Sequence, residues 1–378
     1  SARLSEDGTH YVLNGEKMWI SNAGLADIFT LFAKIDGDQF TAFLIERNTE
    51  GLKIGKEESK MGIRGSSTCP VVLRDCRVPV SNVLGVPGRG HHIAFNVLNA
   101  GRYKLGAMVL GGARYALQDA IAYAQQRQAF GQAISRFGLV QEKLAESAAL
   151  LYVAESMVYR TVGAIDNSLS GLNSSRPDYA DQVQQRIAKY AVECSIVKVW
   201  CTEMQATIVD HVMQIFGGFG FTEEYPASRH YRDARITRIF EGTNEINRLI
   251  ITRWTLKSIR DAIASLDEAT GLHSSAGGLS ADPLSDLTRL VSSMKRATLN
   301  SLSRALVKYP NGFESTQEIA GAFADMITEI YALESAVLRT KKNPSADKLD
   351  LTVYYAGIAR RRFIASAEKI FDHVCPAS

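Results

Sequence analysis

The chain has 378 residues, 46% of them hydrophobic and 22% charged, with a formal net charge of +3. That length and apolar content suit two or three domains, each with a core of its own, and exclude global disorder. Forty-three basic residues against 40 acidic ones leave no electrostatic footprint for nucleic acid, so no such partner is expected.

The five cysteines, Cys69, Cys76, Cys194, Cys201 and Cys375, are odd in number and lack C-x-x-C spacing. They read as buried thiols in a reducing compartment. The seven histidines form no H-x-x-x-H or Cys/His cluster, so no metal site is expected. No apolar run has the length of a membrane span. Ser1 leads straight into a strand-like pattern, so the natural N-terminus, with any targeting signal, is expected upstream.

In chain order, residues 9–80 alternate in the manner of strands, with an Asn14-Gly15 hairpin signal after 11–13. Further strands are expected at 17–21, 28–34, 40–46, 71–73 and 76–80. From about Gly90 the period becomes helical, over 92–128, 138–168 and 180–216, with a polar turn at 168–177. Long helices with short connections predict an antiparallel bundle. Residues 268–285, rich in Ser, Gly, Ala and Pro, read as a linker, and helices follow at 287–308, 316–342 and 349–374. The expected fold is α+β: an antiparallel β unit at 1–88, a helical bundle at 89–260, a linker at 261–285 and a C-terminal helical domain at 286–378.

The segment RITRIFEGTNEINR, residues 235–248, carries the most chemical information. Glu241 stands between an apolar run and Gly242-Thr243, where the chain must turn. Thr243 can cap a helix starting near Asn244, with Glu245 in its first turn. Beside Phe240 the Glu241 carboxylate can be desolvated and become a useful base, or it can be an exposed turn acid. The residues alone leave both open. The same holds elsewhere. Trp19 is a core aromatic or a ligand platform, Arg127 offsets a helix dipole or meets an anion, and Gly217-Gly218 caps a helix or bares N–H groups to a phosphate.

Five segments together resemble the acyl-CoA dehydrogenase family, in the family's order: KMWISN (17–22), KMGIRG (60–65), RQAFG (127–131), QIFGGFGF (214–221) and IFEGTN (239–244). The resemblance implies FAD as cofactor and Glu241 as the catalytic base. It implies that Trp19, Ile20 and Ser21 contact the flavin ring, and that Gln214, Gly217 and Gly218 line the pyrophosphate. Arg127 and Phe130 would reach a partner subunit's cofactor, with guanidinium offering paired donors to a diphosphate. Thr243 and Glu245 would also contact cofactor, and Phe240, Gly242, Arg102 and Asn99 would contact the acyl-CoA. For Arg102 the residues equally allow a salt-bridged helix arginine, and for Arg248 a surface arginine.

The implied reaction is α,β-dehydrogenation of fatty acyl-CoA, long-chain by likeness of 11–34 and 137–145 to the very-long-chain branch, with electrons passed to an electron-transferring flavoprotein. The same resemblance implies a homodimer in bacterial cytoplasm or mitochondrial matrix. Two alternatives stand beside it: an acyl-CoA oxidase, and an assembly or scaffold relative for a respiratory complex with secondary catalysis. Leu287, Leu290, Val291 and Met294, with Arg289, Lys295, Arg296 and Arg304, form a basic amphipathic pattern that fits either a peripheral membrane contact or an ordinary bundle helix. The family's N-terminal helical domain and its Thr/Glu-Pro-x-x-Gly-Ser-Asp loop have no counterpart here, so the chain is expected to begin just after that loop and not to hold FAD firmly alone.

Overall fold

The computed structural model describes residues 1–269, 282–309, 312–313 and 316–374. Most of the linker expected at 261–285, and Cys375, lie outside the residues described with side chains. The chain forms two compact units, Ser1–Leu98 and Asn99–Ser378.

The first unit is a seven-stranded sheet. Its strands are β1 (Ala2–Leu4), β2 (His10–Ser21), β3 (Ile28–Ile35), β4 (Gln39–Glu46), β5 (Leu52–Ile54), β6 (Thr68–Pro79) and β7 (Val83–Leu84), in the order β5-β6-β2-β1-β3-β4-β7. Pairing is antiparallel except for one parallel bridge between Ala2 and Ile35. β3 alternates buried and solvent-facing residues as a half-buried strand should. Its Phe29 and Leu31 join Leu13, Phe43, Ile45, Val71 and Leu73 in a core of this unit's own.

The expected hairpin at Asn14-Gly15 does not form. β2 runs straight through it, because β6 supplies an unbroken partner and absorbs the irregularity as a bulge. Leu13 pairs with Cys76 and Gly15 with Leu73, so Asn14 faces two residues, Arg74 and Asp75. Asn14 then exchanges side-chain hydrogen bonds with Asp75, at 2.8 Å to its N–H and 3.0 Å to its carboxylate. The strands expected at 11–13 and 17–21 are therefore one, as are those at 71–73 and 76–80.

The second unit is helical. It contains most of α1 (Gly90–Gln126), then α2 (Gly138–Leu169), α3 (Tyr179–Ala188), α4 (Ala191–Phe216), α5 (Pro226–Arg235), α6 (Asn244–Ala269), α7 (Pro283–Lys308), α8 (Gln317–Lys342) and α9 (Ala346–Val374). A two-stranded hairpin, β8 (Gln128–Ala129) and β9 (Gln132–Ala133), follows α1. The single helix expected over 180–216 is broken at Lys189-Tyr190, and α4 restarts with apolar residues around most of its circumference. Such a helix must be central. Its Trp200 donates to the Tyr355 hydroxyl of α9 at 3.1 Å, so the C-terminal helices share one core with the rest of the unit. In α7, Leu287, Val291 and Met294 are buried and Leu290 packs beside them. The stripe weighed as a membrane face is thus spent on this core. No helix among the described residues is long and apolar enough to cross a membrane.

Candidate functional site

Residues 239–243 leave the short helical turn Ile236–Arg238 and reverse before α6. Glu241 adopts φ of 57° and Gly242 φ of 79°. Two successive left-handed residues make the reversal, and the one at Glu241 costs on the order of 1 kcal/mol or more because it carries a Cβ. Thr243 caps α6 as expected: its hydroxyl accepts from the Ile246 N–H at 3.4 Å, and Glu245 sits exposed in the first turn.

The turn is held from behind. Arg102, buried on α1, donates from Nε to the Glu241 carbonyl at 3.3 Å and from Nη1 to Asn99 Oδ1 at 3.1 Å. Asn247 Nδ2 reaches the carbonyls of Glu241, Gly242 and Thr243 at 3.4, 2.9 and 3.0 Å. Lys198 on α4, fully buried, donates to the Gly242 carbonyl at 2.8 Å and to Asn244 Oδ1 at 2.7 Å. The carbonyl oxygens of 241–243 are thereby all satisfied. The N–H of Glu241 donates to no group among the described residues.

The Glu241 side chain lies against α1 at Gly101. A Cβ built on Gly101 would stand 2.5 Å from Oε2 and 2.8 Å from Cδ of Glu241. Glycine here makes room for a carboxylate, at the cost of helix propensity in α1. Burial pushes the Glu241 carboxyl above its ordinary range, while Arg102 and Lys198 pull it back. A half-buried carboxylate with a raised pKa, beside an unused N–H, suits proton abstraction next to a polarised carbonyl. Of the residues expected around the substrate, the structure brings together Glu241, Gly242, Arg102 and Asn99. Phe240 packs against the hydrophobic core behind them. Arg248 instead pairs with Asp325 of α8 at 2.7 Å.

A separate groove of about 470 Å³ is lined by Arg127, Gly217, Gly218, Phe219 and Thr222, with Tyr123 and Phe216 stacked in its wall at 4.2 Å. Gly217 ends α4 with φ of 59° and ψ of −137°, a conformation that requires glycine. A Cβ on Gly218 would meet nothing within 4 Å, so no contact within the chain requires glycine there. Arg127 lies over the Phe219 ring at 5.4 Å. Gln214 is exposed on the last turn of α4 and does not line this groove. Phe130 and Gly131, with φ of 51° and 81°, form the tip of the β8–β9 hairpin, where Phe130 is 96% exposed.

In the first unit, Lys17 pairs with Val71 and Ile20 with Cys69, so Met18 and Trp19 bulge opposite Pro70. Trp19 takes φ of 60° and is 66% exposed, and Ser21 is also exposed. The left-handed residue at Trp19 interrupts the strand's period of two at this point. No group of three or more metal-ligating side chains occurs among the described residues.

Family models for the acyl-CoA dehydrogenase middle domain match residues 1–76, and those for acyl-CoA dehydrogenase C-terminal domains match 88–256 and 293–374. The chain belongs to the acyl-CoA dehydrogenase family. A Bacillus subtilis protein named "Probable acyl-CoA dehydrogenase" is 44% identical over 348 residues, 90% of this chain and 59% of that protein. The rat mitochondrial very long-chain specific acyl-CoA dehydrogenase is 34% identical over 91% of this chain and 55% of its own length. A crystal structure of an acyl-CoA dehydrogenase complexed with FAD from Bacillus anthracis superposes with a TM-score of 0.94 at 44% identity, covering all of this chain and 66% of that one. The chain thus spans little more than half the length of the curated relatives it matches.

Sequence reasoning gave no role to Gly101, Lys198 or Asn247. Two left a signal. Gly101 interrupts a helical pattern without a turn, and Lys198 stands alone in the apolar run SIVKVWC, where a buried charge must find partners. Asn247 left none, because its partners are carbonyls of a turn whose path is set by tertiary structure.

Proposed function

We propose that this chain is part of an FAD-dependent enzyme that dehydrogenates fatty acyl-CoA thioesters to trans-2-enoyl-CoA, with Glu241 as base. The observation that carries the reading is the Glu241 turn: a desolvated carboxylate in a strained conformation, given space by Gly101, next to an N–H that donates to no group among the described residues.

The α-proton of a saturated acyl thioester is weakly acidic, so its removal needs two devices. The Glu241 carboxylate takes the proton. The Glu241 N–H donates to the thioester carbonyl as negative charge develops on its oxygen. Arg102, by holding the Glu241 carbonyl, fixes that peptide, and Asn99 fixes Arg102.

FAD, when bound, supplies the two-electron acceptor for the β-hydrogen and its electron pair. The residues fit such a group. The open space at Gly217 and Gly218 beside Arg127 suits a diphosphate, and the strained, exposed Trp19 with Ile20 and Ser21 suits a flat ring. Thr243 and Glu245 at the start of α6 are proposed as further cofactor contacts, as is Gln214. The exposed Phe130 at its hairpin tip supports a homodimer in which it and Arg127 meet the partner's cofactor. Electrons are proposed to pass to an electron-transferring flavoprotein. The match to the rat very long-chain enzyme across 91% of this chain, C-terminal helices included, supports a long-chain substrate.

The test is anaerobic titration of full-length holoenzyme with acyl-CoA. Glu241→Gln should retain FAD and lose bleaching of the flavin by several orders of magnitude, on the order of 10³-fold or more. Bleaching at the wild-type rate in this variant removes the base assignment.

A further inference from the structure

Lys198 has no part in the chemistry above, yet it is fully buried within hydrogen-bonding reach of the Glu241 turn. Packing alone would favour Met at this place on α4, since removing an ammonium from water is costly. Two features show what the ammonium does there. First, it donates to the Gly242 carbonyl and to Asn244 Oδ1, which join the left-handed pair Glu241-Gly242 to the start of α6. A strained conformation persists only where its surroundings over-determine it, and Lys198 supplies two of the bonds that do so. Second, it brings positive charge to a carboxylate that burial drives toward the neutral, catalytically useless form.

We propose that Lys198 is a positioning residue for the Glu241 base, fixing the turn at 241–244 and keeping the neighbouring carboxylate ionised. This rests on the reading of Glu241 as base. A neutral donor at 198 could supply the first effect but not the second. The charged groups facing Lys198 are Arg102 from α1, Glu203 on α4 itself, Glu241 in the turn and Glu245 on α6. Burial and Arg102 lower the ammonium to about 8, so it stays largely charged at neutral pH. Arg102 acts on Glu241 with the same sign, so losing Lys198 weakens the bias on the carboxylate without abolishing it.

The experiment compares Lys198→Met, Asn244→Ala and Glu241→Gln in the full-length holoenzyme, with FAD content checked by absorbance. Lys198→Met should lower kcat at neutral pH about tenfold or more while KM changes by less than about threefold. The rising limb of its kcat–pH profile should move alkaline by about half a pH unit or more, because the base has lost an opposite charge. An unmoved limb overturns the electrostatic role, since loss of packing alone lowers kcat without shifting that limb. Asn244→Ala keeps the ammonium and removes one of its acceptors, so it decides the positioning role even if Lys198→Met does not fold. It should lower kcat with the limb in place, and unchanged kcat overturns that role. Turnover in Glu241→Gln would sink the base assignment itself, whereas its loss beside wild-type behaviour in Lys198→Met sinks only the role of Lys198.

Discussion

Gly101 of α1 and the carboxylate of Glu241 occupy adjoining space so closely that a methyl group on Gly101 would stand 2.5 Å from Oε2. The two residues are 140 positions apart in sequence, and neither explains itself alone. A helix gives up propensity at Gly101, and a turn stores strain at Glu241. The product is a carboxyl group lodged against a helix, with a backbone N–H that donates to no group among the described residues.

Gly101→Ala tests that relationship. The crowded atoms belong to the mobile end of a side chain, so the fold can yield by swinging the carboxylate aside. Helix α1 should be unharmed, or more stable by up to about 1 kcal/mol from the better helix former. If Glu241 is the base, its displacement should slow flavin reduction by acyl-CoA by on the order of 10²-fold, the usual cost of misplacing a catalytic group by about 1 Å. Stopped-flow reduction and thermal unfolding measured on one preparation decide it. A full reduction rate in the variant contradicts the placement of the base.

Gly218→Ala separates a folding glycine from a binding glycine. Its Cβ would meet no atom of the chain and its φ is not left-handed, so the substitution should leave stability unchanged or raise it by about 0.4–1 kcal/mol through the unfolded state. If the groove beside Arg127 holds the diphosphate of FAD, a methyl group there keeps the backbone away from it. The FAD dissociation constant of the full-length protein should then rise about tenfold or more, read by flavin fluorescence on dilution. Unchanged affinity would place the diphosphate elsewhere.

Much of this architecture is legible from periodicity, because long amphipathic segments such as 138–169 can satisfy their apolar residues in one way only. Asn14-Gly15 shows where local signals lose. Its turn preference is worth less than an uninterrupted ladder with β6, and the mismatch is absorbed by one extra residue at Asp75. Trp19 shows a subtler limit. Strand alternation predicts its neighbours' direction only while the backbone stays extended, and at Trp19 the pairing with β6 bulges and φ turns positive. The Glu241 turn was legible as a motif by resemblance, and its helix cap from residues alone. The ring of donors behind it was not, because Arg102, Lys198 and Asn247 converge from three helices that no local pattern brings together.

A second buried carboxylate, Glu329 of α8, gives a prediction about stability. It accepts from the Tyr355 hydroxyl and, at 3.3 Å, from Arg362 Nη1, and Tyr355 in turn accepts from Trp200 of α4. Glu329→Ala should cost about 2 kcal/mol, because the buried Tyr355 hydroxyl loses its acceptor and Arg362 its partner. The side chain of Arg362 is 40% exposed, so water recovers part of that loss and the full cost of a broken interior pair is not reached. Glu329→Gln keeps an acceptor and should cost less, and the difference from wild type should depend on pH. Burial raises the Glu329 carboxyl above its ordinary 4.5, against the opposing pull of Arg362 and Tyr355. A group raised in the folded state contributes stability that is complete below 4.5 and is lost as pH climbs through the folded value, because the native state there binds the extra proton. Glutamine does not titrate. Urea unfolding at pH 4.5 and 7.5 should therefore show Glu329→Gln gaining on wild type at the higher pH, and the opposite trend would mean that Arg362 and Tyr355 outweigh burial at this site.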